Sequence, residues 1–419
     1  EPRGCYAEWN DGKVHLANNG QGVWVHKGNL KRVFGLDDDH VQVTNPDTGG
    51  GFGMKAAAYP EYFSVAQAAR ALGRPVRWMS DRTEAMLSDN GGRDLTSLAE
   101  FAFDENNKIT AYRVRTKCNL GAYNSQFGQP IQSTLFSKVL MGVYDVQDTY
   151  LHVEGYYTNT VQVDAYRGAG RPEATYQLER LVDKCAHELG VDPIALRRQN
   201  FITEFPYATP VAVEYDTGDY NATMDKLEEI ADHAGFEARR RESEAKGRLR
   251  GFGVNCYIEA CGIAPSNLVG QLGARAGLYE SATVRVNATG GLVVMTGSHS
   301  HGQGHETSFP QGISEMIGIP EDQVEIVHGD TANTPMGMGT YGSRSIAVGG
   351  SAMVRAAEKI IYGHLSTGAA DDLVKATDIA RAMVARYGMD EELGHVSYDT
   401  DRPGFLGTGD QTSWLNRRY

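Results

Sequence analysis

Glycine sets the first constraint on this chain. Residues 48–55 read TGGGFGMK, four glycines in eight positions with a lysine at the end. A phosphate-binding P-loop needs GxxxxGK followed by Ser or Thr, but Met54 separates Gly53 from Lys55 and Ala56 follows. A dinucleotide-binding loop counted from Gly49 needs its third glycine at position 54, which is Met54. Taken alone, the segment reads as a tight turn after the strand-like HVQVTN at 40–45. It is not alone. DAYRGAGRP begins at 164, GSHSHGQGHETS spans 297–308, and HGDTANTPMGMGTYGSRSIAVGGSA spans 328–352. The 49 glycines lie along the whole length, which suits many turns and backbone that comes close to a ligand.

Between the loops, alternating segments at 13–17, 40–45, 109–118 and 149–158 read as strands. Apolar residues at helical spacing mark helices over 60–73 and 174–190, with Gly73 and Gly190 as stops. The mixture implies an α+β (mixed α/β) fold. We expect a first block over 1–205, a connector over 206–250 with one charged helix at 222–246, and a second block over 251–358. That block opens with a hairpin at 281–298 turning at NATGG. Residues 359–419 form a tail with an amphipathic helix expected over 365–389.

A net charge of −13 argues against nucleic-acid binding, which needs a basic surface. No apolar run reaches the roughly 18 residues of a membrane span. The opening EPRGCYAEW lacks a Met and a signal peptide, so it reads as a truncation or cleavage product, and a cytoplasmic protein is expected. Cys5, Cys118, Cys185, Cys256 and Cys261 contain no CxxC pair. They read as reduced thiols and offer no spacing for an Fe–S cluster.

The four loops, in this order, resemble the molybdenum-cofactor-binding subunit of the xanthine dehydrogenase and aldehyde oxidase family over residues 1–358. The resemblance makes both blocks molybdopterin-binding. It implies that Gln21 hydrogen-bonds an oxo ligand of molybdenum, and that Gly51, Phe52 and Gly53 lie beside the metal. It places Arg167 near metal and pterin, and Gly302, Gln303 and Gly304 around the pterin. Gly342, Ser343, Arg344 and Ser345 belong to the last cofactor loop, with Gly342 near the metal. Fe–S and flavin (FAD) centres are implied on partner subunits, together with a small-molecule substrate. The pterin is expected to be molybdopterin, with its cytosine dinucleotide form as one alternative.

Two positions depart from the xanthine-specific branch. Ala56 stands where a purine-orienting glutamate is found, and Ala169 where an aromatic sandwiches the purine. AYRGAG also lacks the copper-binding cysteine of the carbon monoxide dehydrogenase branch. An aldehyde or an N-heterocyclic aromatic is therefore the expected substrate, and Tyr123, Phe127, Phe136 and Tyr166 are candidate pocket residues. The family base is a glutamate in a GxGE-type motif near the C-terminus. No such motif occurs here, so a companion molybdopterin subunit is expected to supply it, or the chain is an inactive cofactor-binding fragment. Glu306 is a weak substitute, more simply read as a surface or supporting residue. His299, His301 and His305 invite a metal-ligand reading, although histidines there are not part of the family pattern.

Residues 360–389 resemble part of the peptidase domain of FtsH-type AAA+ zinc proteases. Asp372 would be its third zinc ligand. The chain has no HExxH, so Asp372 has no site to complete and no protease activity is expected; a protease-related adaptor is the remaining reading of the tail.

Overall fold

The computed structural model describes residues 1–211, 213–262 and 278–362. The helix expected at 365–389, and Asp372 on it, lie outside the described residues. Three small sheets, each backed by helices, carry three separate hydrophobic cores.

The first sheet has the order β3-β2-β1-β4, with β1 Gly4–Asn10, β2 Lys13–Asn18, β3 Val41–Thr44 and β4 Val76–Met79. β2 and β3 are parallel, so a crossover must join them, and the helix Val23–Phe34 supplies it. Val14, Leu16, Leu30, Val43, Tyr62 and Ala66 fill the core between this sheet and its helices. The second sheet is β5 Leu95–Phe103, β6 Ile109–Gly121 and β7 Asp148–Tyr157. Along β6 the inward positions Tyr112, Val114 and Cys118 alternate with exposed Arg113, Arg115 and Lys117, as a half-buried strand requires. The helix Arg171–Leu189 covers the inner face with Ala174, Leu178 and Val182. It begins three residues before the expected 174, because Pro172 fits the first turn, where its missing N–H costs nothing. After a two-stranded ribbon, β8 Tyr207–Ala208 and β9 Glu214–Tyr215, comes the third sheet: β10 Ala282–Val286, β11 Leu292–Thr296 and β12 Val324–Val327. Helices His305–Ile317 and Ser351–Tyr362 back it.

The charged helix expected over 222–246 is two helices, Tyr220–Ile230 and Phe236–Ala245. Asp232 breaks them. It takes a left-handed backbone (φ 46°), and its carboxylate accepts from Gly235 N–H. A local side-chain cap wins over helix continuity, as it commonly does for Asp. The helix Ser351–Tyr362 runs through residue 359 unbroken. The five thiols are unpaired, with Cys5 and Cys118 buried and Cys261 exposed. Among the described residues, no helix is long and apolar enough to cross a membrane.

What positions the site is a seam between the first and third sheets. Asn45 N–H donates to Gly329 O (2.7 Å) and Thr331 N–H to Val43 O (3.1 Å). Gln42 Nε2 donates to Asp330 Oδ1 (3.0 Å). The end of β3 and the end of β12 are thus stitched together, and the loops that follow both strands leave from one place.

Candidate functional site

All four glycine-rich loops meet at this seam. Gly50 N–H donates to His301 O (3.1 Å), joining residues 48–55 to the third loop. Arg167 N–H donates to Phe52 O (2.8 Å), joining the second. Gln21 joins the fourth. Its Oε1 accepts from Gly53 N–H (2.7 Å) and its Nε2 donates to Thr340 O (2.9 Å).

Glycine is required where these strands of chain cross. A Cβ on Gly51 would lie 2.5 Å from Gln21 Cγ. Gly53 has φ 88°, and a Cβ there would come within 3.0 Å of Ala165 O. Phe52 (φ 56°), Ala169 (φ 43°) and Ser343 (φ 55°) are non-glycine residues in the left-handed region. Such strain clusters at ligand-binding loops. By contrast, Gly302 (φ 111°) and Gly304 (φ 74°) face open space.

The sequence-derived candidates divide into braces and free groups. Gln21 is buried, and one of the two N–H bonds of its amide remains for a ligand after Thr340 O is served. Arg344 is a brace. Its guanidinium donates to Glu280 Oε2 (3.0 Å), Gly339 O (2.8 Å) and Tyr279 O (2.8 Å), and both members of the ion pair are wholly buried. Ser345 Oγ donates to Thr340 Oγ1 (3.1 Å), and Ser343 O accepts from Gly262 N–H (3.2 Å). Gln303 Oε1 accepts from His301 N–H (2.7 Å), which shapes the GQG turn. Arg167 is exposed, lies 6.0 Å from the Phe52 ring and makes no ion pair among the described residues. Ala56 ends the short turn Met54–Ala56, and Ala169 sits in the turn before the helix Arg171–Leu189.

Of the pocket aromatics, Phe127 stacks on Tyr341 with ring centroids 6.5 Å apart. Tyr123 and Tyr166 are exposed. Phe136 corrects the expectation, because it is packed inside the second core with Leu140 and Tyr112 rather than lining a pocket.

Two groups escaped sequence reasoning. Lys55 is buried with its Nζ 3.1 Å from Glu1 Oε2, and Glu1 also accepts from Gly49 N–H (2.6 Å). Burial depresses the Lys55 ammonium despite that partner. The second is His328, which joins the histidines of the third loop. His299 Nδ1 lies 3.2 Å from His328 Nδ1, and His328 Nε2 lies 2.8 Å from Glu306 Oε1. Neither contact is signalled by sequence, since 54 positions separate Lys55 from Glu1 and 29 separate His328 from His299.

Burial pushes the imidazoles of His299 to about 3 and of His301 and His305 to about 4, so all three are neutral at pH 7. The segment 298–301 is loop rather than strand. Among the described residues, no group of three or more His, Cys, Asp or Glu side chains is placed to hold a metal ion. The buried Nε2 of His299 and Nδ1 of His305 have no partner. The helix His305–Ile317 starts directly after the GQG turn with no side-chain cap, so its first N–H groups point toward that turn. Thr307 and Ser308 N–H both donate to Gly304 O, and Glu306 places its own carboxylate in the first turn. The arrangement therefore offers closely crossing backbone loops, orphaned polar atoms and the exposed Arg167 guanidinium, which together fit a polar, anionic ligand.

Comparison with known proteins agrees. Residues 1–201 match a molybdopterin cofactor-binding domain, and residues 226–395 match a second molybdopterin cofactor-binding domain. The sequence is 34% identical to the carbon monoxide dehydrogenase large chain of Hydrogenophaga pseudoflava, covering 86% of this chain and 46% of that one. It is 32% identical to the nicotine 6-hydroxylase large subunit of Paenarthrobacter nicotinovorans, covering 98% and 54%. The fold matches quinoline 2-oxidoreductase of Pseudomonas putida 86 with a TM-score of 0.80, 33% identity and coverage of 86% and 46%. The chain spans about half the length of the curated relatives it matches. The second domain match continues through residue 359 to 395, so the protease-like resemblance of the tail finds no support.

Proposed function

This chain belongs to the molybdopterin cofactor-binding domain family, and from that premise we propose that it grips the cofactor in the large subunit of a molybdenum hydroxylase. The observation that carries the reading is the double hydrogen bond of Gln21, which ties the GGGFG loop to the TYGSRS loop at one point. Gln21 would offer its remaining N–H to a cofactor oxygen. Arg167 would hold negative charge, and the GQG turn would hold the pterin. Arg344 and Glu280 would keep the last loop in shape from behind. When bound, the group supplies oxygen insertion into substrate and takes up two electrons. Those electrons would leave through Fe–S and flavin subunits.

Ala56 and Ala169 remove the purine contacts of the xanthine branch, and residues 165–170 hold no cysteine for copper. Relatives named for nicotine and quinoline favour an N-heterocyclic aromatic over an aldehyde as substrate. The cytosine dinucleotide form of the pterin and a cytoplasmic location belong to the same reading.

The second reading is a cofactor-binding fragment without catalysis of its own. In that reading a companion molybdopterin subunit would supply the GxGE glutamate. Glu306, the weak substitute, has its carboxylate engaged by His328.

The test is to express the chain in a host that makes molybdopterin dinucleotides, isolate it without air, and measure molybdenum and pterin per chain. About one of each is expected. A chain that folds but carries neither would sink the reading.

A further inference from the structure

The histidine cluster holds an ordered set of tautomers. A carboxylate only accepts hydrogen bonds. Glu306 is held below the usual carboxylate range; burial opposes this, but its own backbone amide and His328 outweigh it. Glu306 Oε1 therefore accepts from His328 Nε2–H across 2.8 Å. Of the two His299 nitrogens only Nδ1 has a partner, His328 Nδ1 at 3.2 Å, so the single proton of the neutral ring sits on Nδ1 and is donated to His328. His299 is neutral, so its other nitrogen, Nε2, carries no proton. That atom is buried and meets no donor, on a residue only 1% exposed. A buried acceptor left unpaired is costly, which marks the place where a ligand donor would be gained.

The backbone around the ring is fixed independently. His299 N–H donates to Thr340 Oγ1 (3.1 Å) in the fourth loop. Gly329, at φ 75°, leaves room for the ring: a Cβ there would lie 3.0 Å from His299 Nδ1. The imidazole is thus anchored between two of the loops proposed to hold the cofactor.

We propose that Glu306, acting through His328, is a positioning residue that locks His299 in its Nδ1–H tautomer, keeping the buried Nε2 as an acceptor for an N–H or O–H group of the bound pterin ligand. The tautomer lock stands without any cofactor. The ligand contact rests on the cofactor reading above.

The test uses the full chain with ¹⁵N-labelled histidine at pH 7.5, with His299→Asn to assign the signal. Long-range ¹H–¹⁵N spectra should show His299 protonated on Nδ1 alone. In Glu306→Ala, and separately in the near-isosteric Glu306→Gln, both tautomers should appear while distant histidines such as His26 stay unchanged. A proton on Nε2 in the parent chain, or an unaltered tautomer in both variants, overturns the lock. Anaerobic addition of molybdopterin cytosine dinucleotide should then shift the Nε2 signal, and Glu306→Ala should bind it about fivefold more weakly, the effect of one hydrogen bond. Binding that leaves Nε2 unmoved overturns the acceptor role alone. No binding overturns the cofactor reading and the acceptor role with it, while the tautomer result in the free chain still decides the lock.

Discussion

Gln21 and Thr340 lie 319 positions apart and are hydrogen-bonded in both directions: Gln21 Nε2 donates to Thr340 O, and Thr340 N–H donates to Gln21 O, each at 2.9 Å. The side chain and backbone of one residue thereby hold the first and last glycine-rich loops together. Most of what can be tested follows from that contact and the groups around it.

Replacing Gln21 with Ala leaves Gly53 N–H without its acceptor inside a partly buried seam. An orphaned group of this kind costs about 1–3 kcal/mol. Urea denaturation should show a loss in that range, and pterin content after expression should fall much further than stability does.

Gly51→Val tests the crossing of backbones rather than a hydrogen bond. The added Cβ would sit 2.5 Å from Gln21 Cγ, so one of the two loops must move. Circular dichroism should stay that of the parent, because the three cores are untouched, while retained pterin drops.

Arg167 is exposed and unpaired with any described carboxylate, so Arg167→Ala should change unfolding free energy by no more than about 0.5 kcal/mol. If it also leaves pterin and molybdenum content unchanged, its role at the cofactor is wrong.

Arg344→Met is the opposite case. It strands the Glu280 carboxylate, which is wholly buried with its partner. Breaking such a pair from one side costs about 3–5 kcal/mol. Thermal and urea unfolding should both register it, and the expected loss of cofactor would be a consequence of instability.

Stability should fall on mild acidification. Burial holds His26, His301 and His305 at about 4 and His299 at about 3 in the folded chain. In the unfolded chain they titrate near about 6.5. Below that value the unfolded chain binds protons that the folded chain refuses, so stability is full above it and lost as pH falls toward the folded values. The urea midpoint should drop between pH 7.5 and pH 5, and His26→Gln should reduce the drop. A flat midpoint across that range would contradict the burial of these rings.

Local chemistry is written along the chain. The alternation of Tyr112, Val114 and Cys118 with Arg113, Arg115 and Lys117 marks β6 as a half-buried strand, and Gly73 and Gly190 end their helices in left-handed caps. The glycine-rich loops were legible for the same reason: their conformations are demanded by their own residues. Even the family resemblance is a pattern of such loops in order.

Contacts between distant segments were not legible. The burial of Phe136, the Lys55–Glu1 pair and the His299–His328–Glu306 chain depend on which backbones the three sheets bring together. A hydrogen bond across hundreds of positions leaves no period and no spacing to read. Residue pattern alone marks the strands near 13–17, 40–45, 109–118 and 149–158, the helices near 60–73 and 174–190, and the glycine-rich loops able to cradle a ligand. That Gln21 reaches Thr340, that Arg344 is a brace and that His299 keeps an unpaired nitrogen all come from packing, because orientation and burial are properties of the folded chain.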